Sequence, residues 1–154
     1  MAEVEVRAAR LEDAGAVSEM LFALKAAGKR TRPCEVEFVR DHYIANPRNI
    51  LCALVFDSQA VIGLQALSFS YEGNPYGAAP EHGIIGTHVA PLAARRGVGR
   101  AMFAKTLEAA RGAGLAGIEA YIQKSNAEGH GYYGRMGFEP LREDGTALVR
   151  LYQL

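Results

Sequence analysis

Two glycines mark the stretch of this chain with the clearest chemical promise. In Val89-Ala90-Pro91-Leu92-Ala93-Ala94-Arg95-Arg96-Gly97-Val98-Gly99-Arg100, β-branched residues run up to Pro91 and a helical period opens after Gly97. A helix start leaves about four backbone N–H groups without partners and carries roughly half a positive charge. Glycine at 97 and 99 removes side chains that would keep an anion from those donors, and Arg95 and Arg96 add full charges at the rim. Such a corner, formed by residues 95 to 99, suits a pyrophosphate. The plainer reading is a strand-to-helix turn with ordinary glycine punctuation. Two phosphate motifs drop out. No Gly-x-x-x-x-Gly-Lys-Ser/Thr occurs, and Met102 stands where a dinucleotide fingerprint needs its third glycine.

The rest of the chain must hold that corner in place. At 154 residues it is long enough for one domain, 1–154, with a real core. Lys+Arg and Asp+Glu are both 17, so charge gives no reason to expect nucleic acid or a membrane surface as partner. Cys34 and Cys52 lack metal-like spacing and suit small hydrophobes in a reducing compartment. No metal constellation is evident. Met1 to Glu5 shows no basic region followed by an apolar run, and no segment approaches the ~20 apolar residues of a membrane span. The expected address is the cytoplasm.

Taken in order, Val4 and Val6 alternate with charged neighbours as a half-buried strand. Glu12 and Asp13 open a helix whose buried side is Val17, Met20, Leu21, Leu24 and Ala27, with Gly28 as its stop. Lys29-Arg30-Thr31-Arg32-Pro33 is a solvated connection on its plainer reading and an attractor for an acidic acceptor on the other. A second helix is expected over Cys34–Ala45, with Val36, Val39 and Tyr43 on one side, ended by Pro47. Ile50–Phe56 and Ala60–Phe69 read as a hairpin, and Tyr71–Pro80 as a long loop. The strand ending at Val89 and the helix after Gly97 follow. Val98, Met102, Phe103, Thr106, Ala109, Ala110 and Ala113 share one side of that helix. Ile118–Gln123 is a strand and Glu128–Met136 a short helix stopped by Gly137. Phe138–Arg142 and Ala147–Gln153 are the last strands.

A second motif decides what the first only suggests. Asn126-x-x-Gly129-x-x-Tyr132-Tyr133-x-x-x-Gly137-Phe138 resembles, together with Val89-x-Pro91 and the 94–99 loop, the GNAT superfamily of acetyl-CoA-dependent N-acetyltransferases. The family pattern is Val-x-Pro, then Gln/Arg-x-x-Gly-x-Gly/Ala, then Asn-x-x-Ala-x-x-Phe-Tyr-x-x-x-Gly-Phe about thirty residues on. The likeness spans essentially the whole chain. It implies an α+β, three-layer fold, a mixed but mainly antiparallel sheet of about seven strands flanked by four helices. This chain departs from the pattern twice. Ala94 stands at the usual Gln/Arg position, and Gly129 replaces the usual alanine.

The resemblance also implies roles. Acetyl-CoA would lie with its pyrophosphate on Ala94, Arg95, Arg96, Gly97, Val98, Gly99 and Arg100, and its pantetheine would pair along the strand ending at Val89. The Val89 N–H would face the thioester oxygen as an oxyanion donor. Asn126 matches the residue that helps fix the cofactor arm, and on its plainer reading caps a helix. Tyr133 matches the tyrosine that protonates the departing thiolate, while Tyr132 fills the core role. The amine must also shed a proton, and Glu81, His82 and His88, on or beside the central strand, are the candidates. His42 and His130 are less well placed. No nucleophilic Ser or Cys is needed for direct transfer.

The expected activity is transfer of acetyl from acetyl-CoA to a primary amine of a small molecule, amino acid or peptide. The competing expectation is a non-catalytic module that binds acyl-CoA or a protein partner on the same fold. Gly97, Gly99, Asn126 and Tyr133 favour the enzyme, and Ala94 favours the module. A homodimer paired through the late strands is implied by the resemblance alone.

Overall fold

The structure is a computed structural model that describes residues 4–93 and 97–154. Seven strands form one sheet in the order β1-β2-β3-β4-β5-β7-β6. They are β1 (Glu5–Ala8), β2 (Asn49–Asp57), β3 (Ala60–Phe69), β4 (His82–Val89), β5 (Gly117–Gln123), β6 (Glu139–Asp144) and β7 (Ala147–Gln153). All neighbours are antiparallel except β4 and β5, which the chain joins by crossing over through a helix. The four helices are α1 (Ala14–Ala26), α2 (Val36–Val39), α3 (Val98–Gly112) and α4 (Ala127–Met136). The sheet is therefore mixed, mainly antiparallel and flanked by helices, as the family resemblance implies.

Alternation along the strands sorts side chains to two faces. On one, Val17, Leu21 and Leu24 of α1 pack with Val39, Tyr43, Leu54 and Leu64. On the other, Phe103 of α3, Tyr133 of α4 and Phe138 pack against Ile85, Ile118, Ala120 and Ile122. The start of α1 is tied down electrostatically. Both Asp13 oxygens accept from Arg7, each at 2.8 Å, and one accepts from the Arg10 N–H at 2.7 Å. The Arg7 hydrogen bond holds the Asp13 carboxyl below its ordinary range, against the burial that pushes it up.

The second helix differs from the continuous one expected over Cys34–Ala45. After α2 the chain widens into a π-turn, Arg40–Ile44, in which the Ala45 N–H reaches back to Arg40 O at 2.7 Å. The Asn49 side chain donates to the Tyr43 carbonyl, so this widened turn keeps its polar groups satisfied. Tyr43 is buried with Val39, on the side where the sequence puts both, while Val36 of the same expected side is exposed; the widened turn is the departure. Periodicity over so short a stretch does not register that change.

The feature that makes room for a ligand is a parting of strands. β4 and β5 pair only over His82–Ile85 and Gly117–Ala120. Beyond that, β4 stays with β3 as far as Val89, and β5 stays with β7 as far as Gln123. Ala90 N donates to Ile62 O at 2.9 Å and Ser70 N donates to His82 O at 3.3 Å, so even-numbered peptide groups of β4 face β3. Glu81 O accepts from Ala116 N, next to β5, at 2.9 Å, so odd-numbered groups face β5. Past Ile85 there is no β5 to meet them. The peptide groups of Thr87 and Val89 thus face an open gap.

Candidate active site

Gly97 is the cap of α3, with φ of +75°, and as a glycine it supplies no side chain to cap the helix N–H groups. A Cβ on Gly97 would meet nothing within 4 Å. The first intrahelical donor is Ala101, which reaches Gly97 O at 3.0 Å, so the N–H groups before it have no helical acceptor. Ala94, Arg95 and Arg96 lie outside the described residues. Gly99 has a different reason to be glycine from the one its spacing suggests. A Cβ there would stand 2.5 Å from Tyr132 Cε1. Tyr132 fills that space and donates its hydroxyl to Gly99 O at 2.8 Å, binding α4 to the first turn of α3.

Tyr133 lies in the core beneath the gap, 6% exposed. Its hydroxyl is 2.8 Å from Thr87 Oγ1. A buried polar chain stands behind that contact, in which either hydroxyl can donate, and is compatible with Thr87 as the donor. Thr106 Oγ1 donates to Gln65 Oε1 at 2.6 Å, which orients the amide. The Gln65 NH2 then donates to Thr87 Oγ1 at 3.0 Å and to the Tyr132 hydroxyl at 2.9 Å. Tyr132 gives its proton to Gly99 O, a pure acceptor. Thr87, already an acceptor from Gln65, has a proton of its own to donate to the Tyr133 oxygen. In that arrangement the Tyr133 proton is the one left without an assigned acceptor. Burial pushes the Tyr132 phenol up to about 12, against hydrogen bonds that lower it, and pushes Tyr133 up further. Both are neutral at physiological pH.

Sequence reading missed Gln65 as a site residue. The available signal was one amide in the apolar run of Ala60–Phe69. Nothing local, however, points to Thr87, Thr106 and Tyr132 as its partners.

Asn126 caps α4: its Oδ1 accepts from Gly129 N at 2.9 Å. The glycine at 129 lets the cap fold over, since a Cβ there would stand 2.6 Å from Asn126 Nδ2. The departure from alanine at this position is thus accommodated by the cap itself.

The three candidate bases occupy different places. Glu81 is exposed and His82 half-buried at the paired end of β4, and His82 lies five residues, ~16 Å of strand, from Thr87. His82 Nδ1 meets Glu119 Oε2 at 2.7 Å. Glu119 also accepts from Ala79 N at 3.0 Å and from Arg142 at 2.9 Å. Burial raises the Glu119 carboxyl, but those hydrogen bonds outweigh it and hold the group below its ordinary range. This clasp pins the Tyr71–Pro80 loop, where Arg142 also donates to Tyr76 O and Gly77 O.

His88 is the candidate beside the gap, between Thr87 and Val89, with its ring on the α2 face and opposite Tyr133. Its Nε2 is 3.4 Å from the Tyr43 hydroxyl, which in turn accepts from Arg30 at 3.2 Å. Burial, then the charges of Arg30 and Arg32, hold His88 down at about 3. The free protein should therefore keep His88 neutral from about pH 8 to about pH 5, which nitrogen-15 spectra of the imidazole would read directly. Because the unfolded chain takes up that proton near the ordinary histidine value, this site costs stability increasingly as pH falls from ~6.5 toward 3.

Among the described residues no group of three His, Cys, Asp or Glu is disposed to hold a metal ion. None of their helices is long and apolar enough to cross a membrane. No sequence among the curated proteins matches the chain. Many solved structures share its fold, among them the three that follow. The PaiA N-acetyltransferase of Thermoplasma acidophilum, in complex with coenzyme A, is 16% identical with a TM-score of 0.77, covering 99% of each chain. An acetyltransferase of the GNAT family from Streptococcus pneumoniae is 14% identical, with a TM-score of 0.76 over 99% of this chain and 100% of that one. A GNAT family acetyltransferase from Brucella melitensis, in complex with acetyl-CoA, is 22% identical, with a TM-score of 0.70 over 100% of this chain and 90% of that one. The model of the acetyltransferase (GNAT) family matches residues 19–138. The chain belongs to the GNAT acetyltransferase family.

Proposed function

We propose that this protein transfers the acetyl group of acetyl-CoA directly to a primary amine of a small molecule, amino acid or peptide. The observation that carries this is the gap past Ile85, with the Thr87 and Val89 peptide groups on one side and Tyr133 closing it from α4. The pantetheine amides pair with those peptide groups as an added strand would. The pyrophosphate rests on the amides of residues 95 to 99, at the positive end of α3. Val89 N–H donates to the thioester oxygen as it gains charge. The neutral amine attacks the thioester carbon, and the tetrahedral intermediate expels the thiolate. Tyr133 gives the thiolate its proton while Thr87 donates to the Tyr133 oxygen. His88, neutral and beside the gap on the other face, is the best placed of the three candidate bases. It must leave Tyr43 to take the amine's proton.

Calorimetry with CoA and acetyl-CoA, followed by thiol release across a panel of amines, tests this reading. Tight binding with turnover of some amine is the expected result. Binding without turnover or hydrolysis would identify a non-catalytic acyl-CoA-binding module instead. The same reading puts the protein in the cytoplasm, where buried Cys34 and Cys52 stay thiols, and pairs it as a homodimer through β6 and β7. Sedimentation would check the pairing.

A further inference from the structure

We propose that the acceptor amine carries a carboxylate, and that Arg30 and Arg32 hold that carboxylate on the α2 side of β4, beside His88. The amine rests on the acetyl-transfer reading above; the carboxylate rests on the arginines alone. Arg30 is 7% exposed. Its Nη1 donates to the Tyr43 hydroxyl at 3.2 Å and its Nη2 to Pro33 O at 2.6 Å, and its buried Nε has no partner. Among the described residues no carboxylate lies within salt-bridge distance of Arg30 or Arg32.

The absence counts because Arg30 is so deeply buried. Arg7 and Arg142 are less buried, with side chains 23% and 33% exposed, yet each has a carboxylate, Asp13 and Glu119. A buried guanidinium without one bears a desolvation penalty that only an anion can offset in full. Arg32 stands at the exposed mouth of the same cluster, its guanidinium 5.5 Å from the Phe38 ring and its Nη2 3.2 Å from His42 Nε2. Phe38 stacks on His42 at 4.7 Å, and the Arg30–Tyr43–His88 chain continues from there to β4. The cluster is therefore a run of cationic and aromatic groups that ends at His88, one residue from the open peptide groups of Thr87 and Val89. It lies across β4 from the proposed proton donor. Both cations also depress His42 and His88, so a bound carboxylate would raise the basicity of His88 when an acceptor is present.

The test has one arm that needs no cofactor. The free protein is titrated with the N-acetyl derivatives of glycine, methionine, phenylalanine and glutamate, and with the carboxamide of each, while the His42 and His88 imidazole signals are followed. At least one acid should give saturable shifts and move the His88 titration upward, while its carboxamide does neither. Arg32→Gln, at an exposed position, should weaken that binding by about tenfold or more, the scale of one charge-assisted hydrogen bond. No saturable shift with any acid, or equal shifts with acid and carboxamide, overturns the proposal. In the second arm, acetyl transfer to free amino acids is compared with transfer to their carboxamides. Equal turnover of both overturns the carboxylate and leaves the acetyltransferase standing. Acids that bind without any acetyl transfer support the anion site and sink the enzymatic reading.

Discussion

Tyr133→Phe should lower turnover by about 10²–10⁴-fold, the scale of a lost general acid, while acetyl-CoA affinity and melting temperature stay close to those of the parent. The ring is retained, so its contacts with Phe138 and Tyr132 survive. Only the oxygen bonded to Thr87 is lost. The contrasting variant is Tyr132→Phe. It leaves Gly99 O and one Gln65 N–H without partners, which should cost about 1–3 kcal/mol of stability with a smaller effect on rate. Because burial pushes the Tyr133 phenol well above its ordinary range, the alkaline limb of the rate profile should not follow Tyr133. Full turnover in Tyr133→Phe, with chemistry shown to limit the rate, would remove Tyr133 as the acid and leave water or another group to protonate the thiolate.

Gly97→Glu should abolish acetyl-CoA binding in a protein that still folds. A Cβ at 97 meets open space, so no packing is lost. The penalty is conformational: φ is +75°, and a side chain in the left-handed region costs about 1–2 kcal/mol. The glutamate carboxylate is drawn to the unpaired N–H groups of the first turn of α3, at the positive end of the helix dipole. It would occupy the proposed pyrophosphate position and repel the phosphates. Arg95→Ala and Arg96→Ala should weaken binding more modestly, and more at low salt than at high, because their attraction is screened. Calorimetry that finds unchanged affinity in folded Gly97→Glu would refute the pyrophosphate placement.

These two variants differ in how readable their positions were. Gly97 is legible because its place is local: a strand ends, a helix begins, and a glycine between them leaves the first helix donors uncovered; its φ of +75° comes from the structure. Tyr133 is marked by a motif, but its polar surroundings come from Gln65, Thr87 and Thr106, which lie on three other elements. Gly99 makes the same point in reverse. Its spacing suggested an opening for an anion, and the space beside it holds the Tyr132 ring. His82 and His88 look equivalent along one strand. Strand pairing separates them, because β5 still accompanies β4 at His82 and has left it before His88.

By itself the sequence determined the elements and their order, since hydrophobic periods of two and 3.6 and glycine and proline stops act between near neighbours. β3 over Ala60–Phe69 and β7 over Ala147–Gln153 match those patterns residue for residue. Through its two motifs it also determined the family. Tertiary structure decided where β4 and β5 part, that the second helix widens into a π-turn, and that Arg30 is buried without a carboxylate rather than solvated in a loop. The first and last of those are encounters between residues far apart in the chain. Burial and charge pairing are set by which surfaces meet, and periodicity carries no information about that.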